Sequence, residues 1–111
     1  MTAYAIANLR SVDVNDEILE YLLRIDATLE PFDGQFLVHG KTPELMDGDL
    51  PGVVVVIAFP DLPTAHAWYA SPGYQAILPL RTSNAVGGAV IVDGVPDGYR
   101  AASFAAARQP A

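Results

Sequence analysis

The stretch VVVVIAFPDLPTAHAWYASPGYQ, Val53 to Gln75, reads as one strand followed by two short capped helices. Val53, Val55, Ile57 and Phe59 point to one side of that strand, and Val54, Val56 and Ala58 to the other, because successive strand side chains alternate. Both sides are apolar. A sheet with water on one face alternates apolar and polar residues instead, so this strand is expected to be covered on both faces. Asp61 is placed to cap the first helix, with Pro63 tolerated in its first turn. Leu62, Ala65, Trp68 and Tyr69 would line the inner side of that helix. Ser71 caps a second helix that Pro72 opens. Pro79 lies inside it and predicts a kink or break near Gln75.

Upstream, Ala3 to Leu9 reads as a first strand. Asp13 is a good N-cap, with Asp16 and Glu17 in the favourable first turn. Val14, Ile18, Leu22, Ile25 and Leu29 recur at spacings of four, four, three and four, which is one helical stripe. Pro31 ends that helix. Asp33-Gly34 turns the chain into a second strand, Gln35 to His39, and Gly40 to Pro43 is a loop. Leu45-Met46 before Asp47-Gly48-Asp49 suggests a short edge strand and a turn. Gly87-Gly88 precedes a last strand, Ala89 to Asp93, again apolar at both parities. The order β-α-β-β-α-β is the split β-α-β motif. It predicts an α+β, ferredoxin-like domain over residues 1–94: a four-stranded antiparallel sheet with both helical regions on one face. Residues 95–111 would be a tail, with a short helix from Tyr99 to Arg108 suggested by its alanines.

Helices on one face leave the other face of an apolar sheet bare. A second copy of the chain would cover it, so a homodimer through the sheet face is expected. A positive mean hydropathy fits that expectation. The chain has 111 residues, one domain's length, and is 51% apolar.

Thirteen acids against six bases give a net charge of −7, and the bases form no cluster. Nucleic-acid binding needs a basic footprint, and an anionic membrane surface would repel the chain. Neither partner is expected. Cysteine is absent, which excludes disulfides, thiolate nucleophiles and sulfur-ligated metals. No apolar run is long enough for a membrane span. The start MTAYAIANLR lacks the pattern of a signal peptide, so the simplest location is the cytoplasm.

The segment A-W-Y-x-S-P-x-Y-Q, Ala67 to Gln75, resembles the domain of unknown function 1330 family, within the dimeric α+β barrels of ferredoxin-like fold. The family pattern covers Tyr4 to about Gly94. The resemblance implies a barrel made by two sheets packed face to face, and it carries no general assigned activity. Two departures stand out: Gly73 follows Ser71-Pro72 where the family often has Glu, and Leu50 follows the acidic turn where an aromatic residue is usual.

Candidate site residues are few. His39 ends the second strand, where it is either a base or ligand at a pocket mouth or a polar strand end near solvent. His66 falls off the inner stripe of its helix and is expected to be exposed. The two histidines form no local metal motif, and no metal or other cofactor is expected. Trp68, Tyr69 and Tyr74 cluster about the helix junction, as core or as walls of a small apolar pocket between helices and sheet. In similar barrels, such as cofactor-free quinone-forming monooxygenases, substrate sits there. Tyr4, Tyr69 and Tyr74 would then supply hydroxyls and Arg81 a positive anchor. Arg81 also suits its place near a helix end. Ser71 is explained by capping, and the glycines form no phosphate loop.

Three functions follow. One is a dimer that binds a small organic molecule. Another, by analogy, is a cofactor-independent enzyme of monooxygenase or isomerase type. The third is a haem-binding barrel using a histidine, with no basic pair in sight for the propionates.

Overall fold

The computed structural model describes residues 1–109. Strand β1 (Ala3–Val12) leads to helix α1 (Asp16–Leu29), a 3-10 turn (Glu30–Phe32) and strand β2 (Gln35–Val38). Strand β3 (Val53–Phe59) is followed by helices α2 (Leu62–Ala70) and α3 (Pro72–Thr82), then strand β4 (Ala85–Asp93) and helix α4 (Ala101–Arg108). The sheet order is β2-β3-β1-β4, and every pairing is antiparallel. The fold is ferredoxin-like α+β.

The two sheet faces differ as the alternation of β3 requires. Ala3 is opposite Phe59 on β3, Ala5 opposite Ile57, and Ala7 opposite Val55. These residues face the helices. The core joins Ala3, Ile57 and Phe59 to Tyr21, Ile25 and Leu29 of α1 and to Ala65, Trp68, Tyr74 and Ile77 of α2 and α3. Phe59 and Ile77 are its most deeply buried large side chains. Tyr4, Ile6, Val54, Val56, Val90 and Val92 alternate to the opposite face, where none of them is buried.

Helix α1 begins later than Asp13. Strand β1 extends to Val12 because it pairs with β4 as far as Ala85, and the Asp13 amide donates to the Asn84 carbonyl. Asn15 becomes the cap: its side-chain oxygen accepts from the Ile18 amide at 3.0 Å, and its amide donates to Asn84 Oδ1 at 2.6 Å. Val14 therefore precedes the helix and is exposed, and Leu22 is more than one-third exposed. Tyr21 is buried instead, between Ile18 and Ile25 on the inner stripe.

Other boundaries shift for equally local reasons. Gly87 and Gly88 lie within β4, opposite Leu9 and Asn8, beside a bulge in β1. A Cβ on Gly87 would collide with the Asn8 carbonyl, and its φ of 150° suits glycine. The 39–52 segment contains no strand; Leu45, Met46 and Leu50 are exposed there. Helix α3 runs through Pro79 without the expected break. The chain breaks at Ser71 instead, whose ψ of 146° separates α2 from α3. The tail forms α4, none of whose residues is buried. The last two residues of the expected tail lie outside the described residues.

Candidate functional site

A cavity of about 670 Å³ lies between the helices and the sheet. Its floor is the inner face of β1, where Ala5, Ala7 and Leu9 follow one another, flanked by Val55 and Ile57 of β3 and by Ala89 and Ile91 of β4. Ile18, Tyr21, Leu22 and Ile25 of α1 cover it, and Trp68, Tyr69, Tyr74 and Arg81 wall it. Three alanines on the floor leave space that larger side chains would occupy. Ala3 and Phe59, one row further along the same face, belong to the buried core that closes that end.

Trp68, Tyr69 and Tyr74 meet across the α2–α3 corner. The Trp68 and Tyr74 rings are 4.1 Å apart at their centroids, Tyr69 and Tyr74 5.5 Å, and Trp68 and Tyr69 6.3 Å. Trp68 and Tyr74 are buried, while Tyr69 is partly exposed. The corner is held by polar contacts. Trp68 Nε1 donates to Thr28 Oγ1 at 3.0 Å, and that hydroxyl donates to the Ile25 carbonyl at 2.7 Å. The Tyr74 amide donates to Ser71 Oγ, and Gln75 Nε2 donates to the Tyr69 carbonyl at 2.7 Å. Ser71 thus acts as a cap.

Tyr21 and Tyr74 share a hydrogen bond, with their hydroxyl oxygens 2.8 Å apart. Arg81, in the last turn of α3 and only partly exposed, acts on both phenols. Burial first, and then the neighbouring Tyr74, push the Tyr21 phenol far above the usual tyrosine range; Arg81 opposes them and loses. For Arg81, burial is the largest influence and lowers its pKa, but the two phenols together outweigh it and the net shift is upward. Both groups therefore keep their protons at neutral pH.

All five residues singled out from the sequence, His39, Trp68, Tyr69, Tyr74 and Arg81, border this cavity. His39 is exposed just after β2, with its ring 5.0 Å from that of Phe36. His66 is exposed as expected, yet it too borders the cavity. Tyr4 is a correction. Its place on β1 turns it to the face opposite the helices, paired with Ala58 and Val92, so its hydroxyl does not serve the cavity. Tyr21 was missed by the sequence reading, although its spacing of three from Ile18 and four from Ile25 puts it on the inner stripe. Among the described residues, no three His, Asp or Glu side chains gather as a metal site would need. No described helix is long and apolar enough to cross a membrane.

Residues 2–95 match the family model described as a domain of unknown function, DUF1330. The chain belongs to this family. Gly73 and Leu50, its two departures from the usual family residues, do not border the cavity. Among solved structures, a dimeric ferredoxin-like protein of unknown function from Jannaschia sp. CCS1 is 18% identical, with a TM-score of 0.65, covering 86% of this chain and 100% of that one. A protein of unknown function from Rhodopseudomonas palustris is 13% identical, with a TM-score of 0.62, covering 86% and 83%. SnoaB, a cofactor-independent oxygenase from Streptomyces nogalater, is 13% identical, with a TM-score of 0.54, covering 89% and 96%. At these identities the likeness is one of fold. No curated protein matches this DUF1330 chain.

The raised Tyr21 pKa has a testable sign. In the unfolded chain the phenol ionises near pH 10, as an ordinary tyrosine does. The folded protein holds the proton to higher pH, so this contribution is fully present below about pH 10 and is lost above it. Stability should fall by up to about 1.4 kcal/mol per pH unit from this group. Urea unfolding between pH 9 and 11 should show that slope, and Tyr21→Phe should make it shallower.

Proposed function

We propose that this DUF1330 protein binds a small organic molecule in the cavity between helices and sheet. The observation that carries this reading is the cavity itself. Its volume is within the roughly 300–1,000 Å³ range of small-molecule sites, and its walls are largely apolar with a few polar groups among them. A nucleotide would require several phosphate-binding groups, whereas Arg81 is the only cation among the described residues that border the cavity. The same fact weighs against a haem, whose two propionates favour paired cations.

Trp68 offers a direct reporter, since the chain has a single tryptophan, its ring borders the cavity and its indole N–H is held by Thr28. A panel of uncharged aromatic and aliphatic compounds of up to two rings, titrated into isotope-labelled protein, should give saturable shifts of the Trp68 indole signal together with the Ala5 and Ala7 methyls. Shifts confined to surface residues across the whole panel would reject the reading.

A second reading is a cofactor-independent enzyme. It draws on the shared fold with SnoaB and on an aromatic cavity with two hydrogen-bonded phenols beside an arginine. Oxygen uptake that depends on an added phenolic compound would support it.

We further propose that two copies associate through the outer sheet face. That face presents Ile6, Val54, Val56, Val90 and Val92, none of them buried by another element among the described residues, and Val90 is 58% exposed. The Jannaschia neighbour is itself dimeric. An obligate interface of this kind buries more than about 2,000 Å² in total. Sedimentation at micromolar concentration should give a dimer, and Val56→Glu should give a monomer of reduced stability. A monomeric wild type would refute the assembly.

A further inference from the structure

The Tyr21, Tyr74 and Arg81 side chains form a hydrogen-bonding cluster with a cation and, among the described residues, no anionic acceptor. The two phenols share one hydrogen bond, which uses one hydroxyl proton and leaves the other without an acceptor among the described residues. A guanidinium adds five N–H donors and accepts nothing. Among the described residues, no carboxylate lies within 4 Å of Arg81; the ion pair that does form joins Arg24 to Glu20 on the exposed side of α1. A partly buried cation facing apolar walls is costly unless it meets an opposite charge. In a chain with thirteen acids, the lack of one at this place is informative.

Resting on the reading of the cavity as a ligand site, we propose that its ligand is a small organic acid with one carboxylate. The carboxylate would meet Arg81 and the free phenolic proton of the Tyr21–Tyr74 pair. The apolar body would lie along Ala5, Ala7 and Ile91. The charge count selects this class. One guanidinium fork matches the two oxygens of a carboxylate, while a phosphate ester would call for a second cation that the cavity does not provide. The phenols remain donors because Tyr21 stays protonated far above neutral pH. The remaining walls offer an apolar surface, so affinity for the body is shape and burial.

The test is a matched pair of probes, 2-naphthoate and 2-naphthamide, titrated calorimetrically into the wild-type protein at pH 7. The two have the same ring system and differ in charge. Naphthoate is expected to bind at least tenfold more tightly. Arg81→Met should weaken naphthoate at least tenfold and remove its advantage over naphthamide. Tyr21→Phe, which keeps the ring, should weaken naphthoate several-fold. Equal affinity of the two probes for the wild type would overturn the organic-acid proposal and leave the cavity reading standing. Binding of neither probe would overturn the cavity reading and the proposal with it. The wild-type comparison decides even if Arg81→Met does not fold.

Discussion

The structure depends on the size of the side chains that the sheet presents to its helices. Central strand β1 places Ala3, Ala5 and Ala7 on that face, and β4 adds Ala89. A helix layer rests on a sheet through side chains that fill the space between them. At the Ala3 row, Phe59, Trp68 and Ile77 fill it, and the core is closed. Over the next rows β1 offers only Ala5 and Ala7 at the centre of the floor, between Val55 and Ile57 on one side and Ala89 and Ile91 on the other, and the helix above contributes Ile18, Leu22 and Ile25. The space is left open there. Protein interiors pack at the density of organic crystals, so a solvent-open cavity of this size beneath the helices is a built feature of the fold. Its position follows from which rows carry the small residues.

The same alternation gives the sheet its second apolar face. With β3 apolar at both parities, one side of the strand builds the core and cavity, and the other is presented outward. The two roles are separable. From Ala3 to Leu9 on β1, and along β3 and β4, even-numbered residues belong to the outer face and odd-numbered ones to the helix side; beyond the bulge after Leu9 the order on β1 reverses, and Val12 borders the cavity. A substitution on one face can therefore change assembly while the cavity keeps its shape. The phenol–arginine cluster belongs wholly to the helices: Tyr21 comes from α1, Tyr74 and Arg81 from α3. Helices α1 and α3 pack against each other, and the Tyr21–Tyr74 bond joins them at that contact.

Much of this was legible in the sequence, for physical reasons that differ from residue to residue. The period-two pattern of β3, the Asp61 and Ser71 caps and the Asp33-Gly34 turn are local signals, and each appears in the structure where its chemistry places it. Boundaries that depend on partners were not legible. The start of α1 moved from Asp13 to Asn15 because β1 was lengthened by its pairing with β4, a contact between residues far apart in the chain. Pro79 stayed within α3, where the proline rule alone would have broken the helix. The aromatic corner could be located from spacing. The Tyr21–Tyr74–Arg81 cluster could not, since it is assembled from two helices separated by the whole β2–β3 hairpin and α2. Tyr4 shows the opposite failure: its chemistry suggested the cavity, but strand parity directs it to the other face.

The most direct measurement is the effect of Ala7→Leu on unfolding free energy. If the floor of β1 underlies an open cavity, the added leucine atoms enter empty space, and stability should be unchanged or raised. If the region is in fact closely packed, the larger side chain must displace its neighbours, and overpacking of that kind typically costs about 1–3 kcal/mol. A loss of that size in urea unfolding would contradict the account.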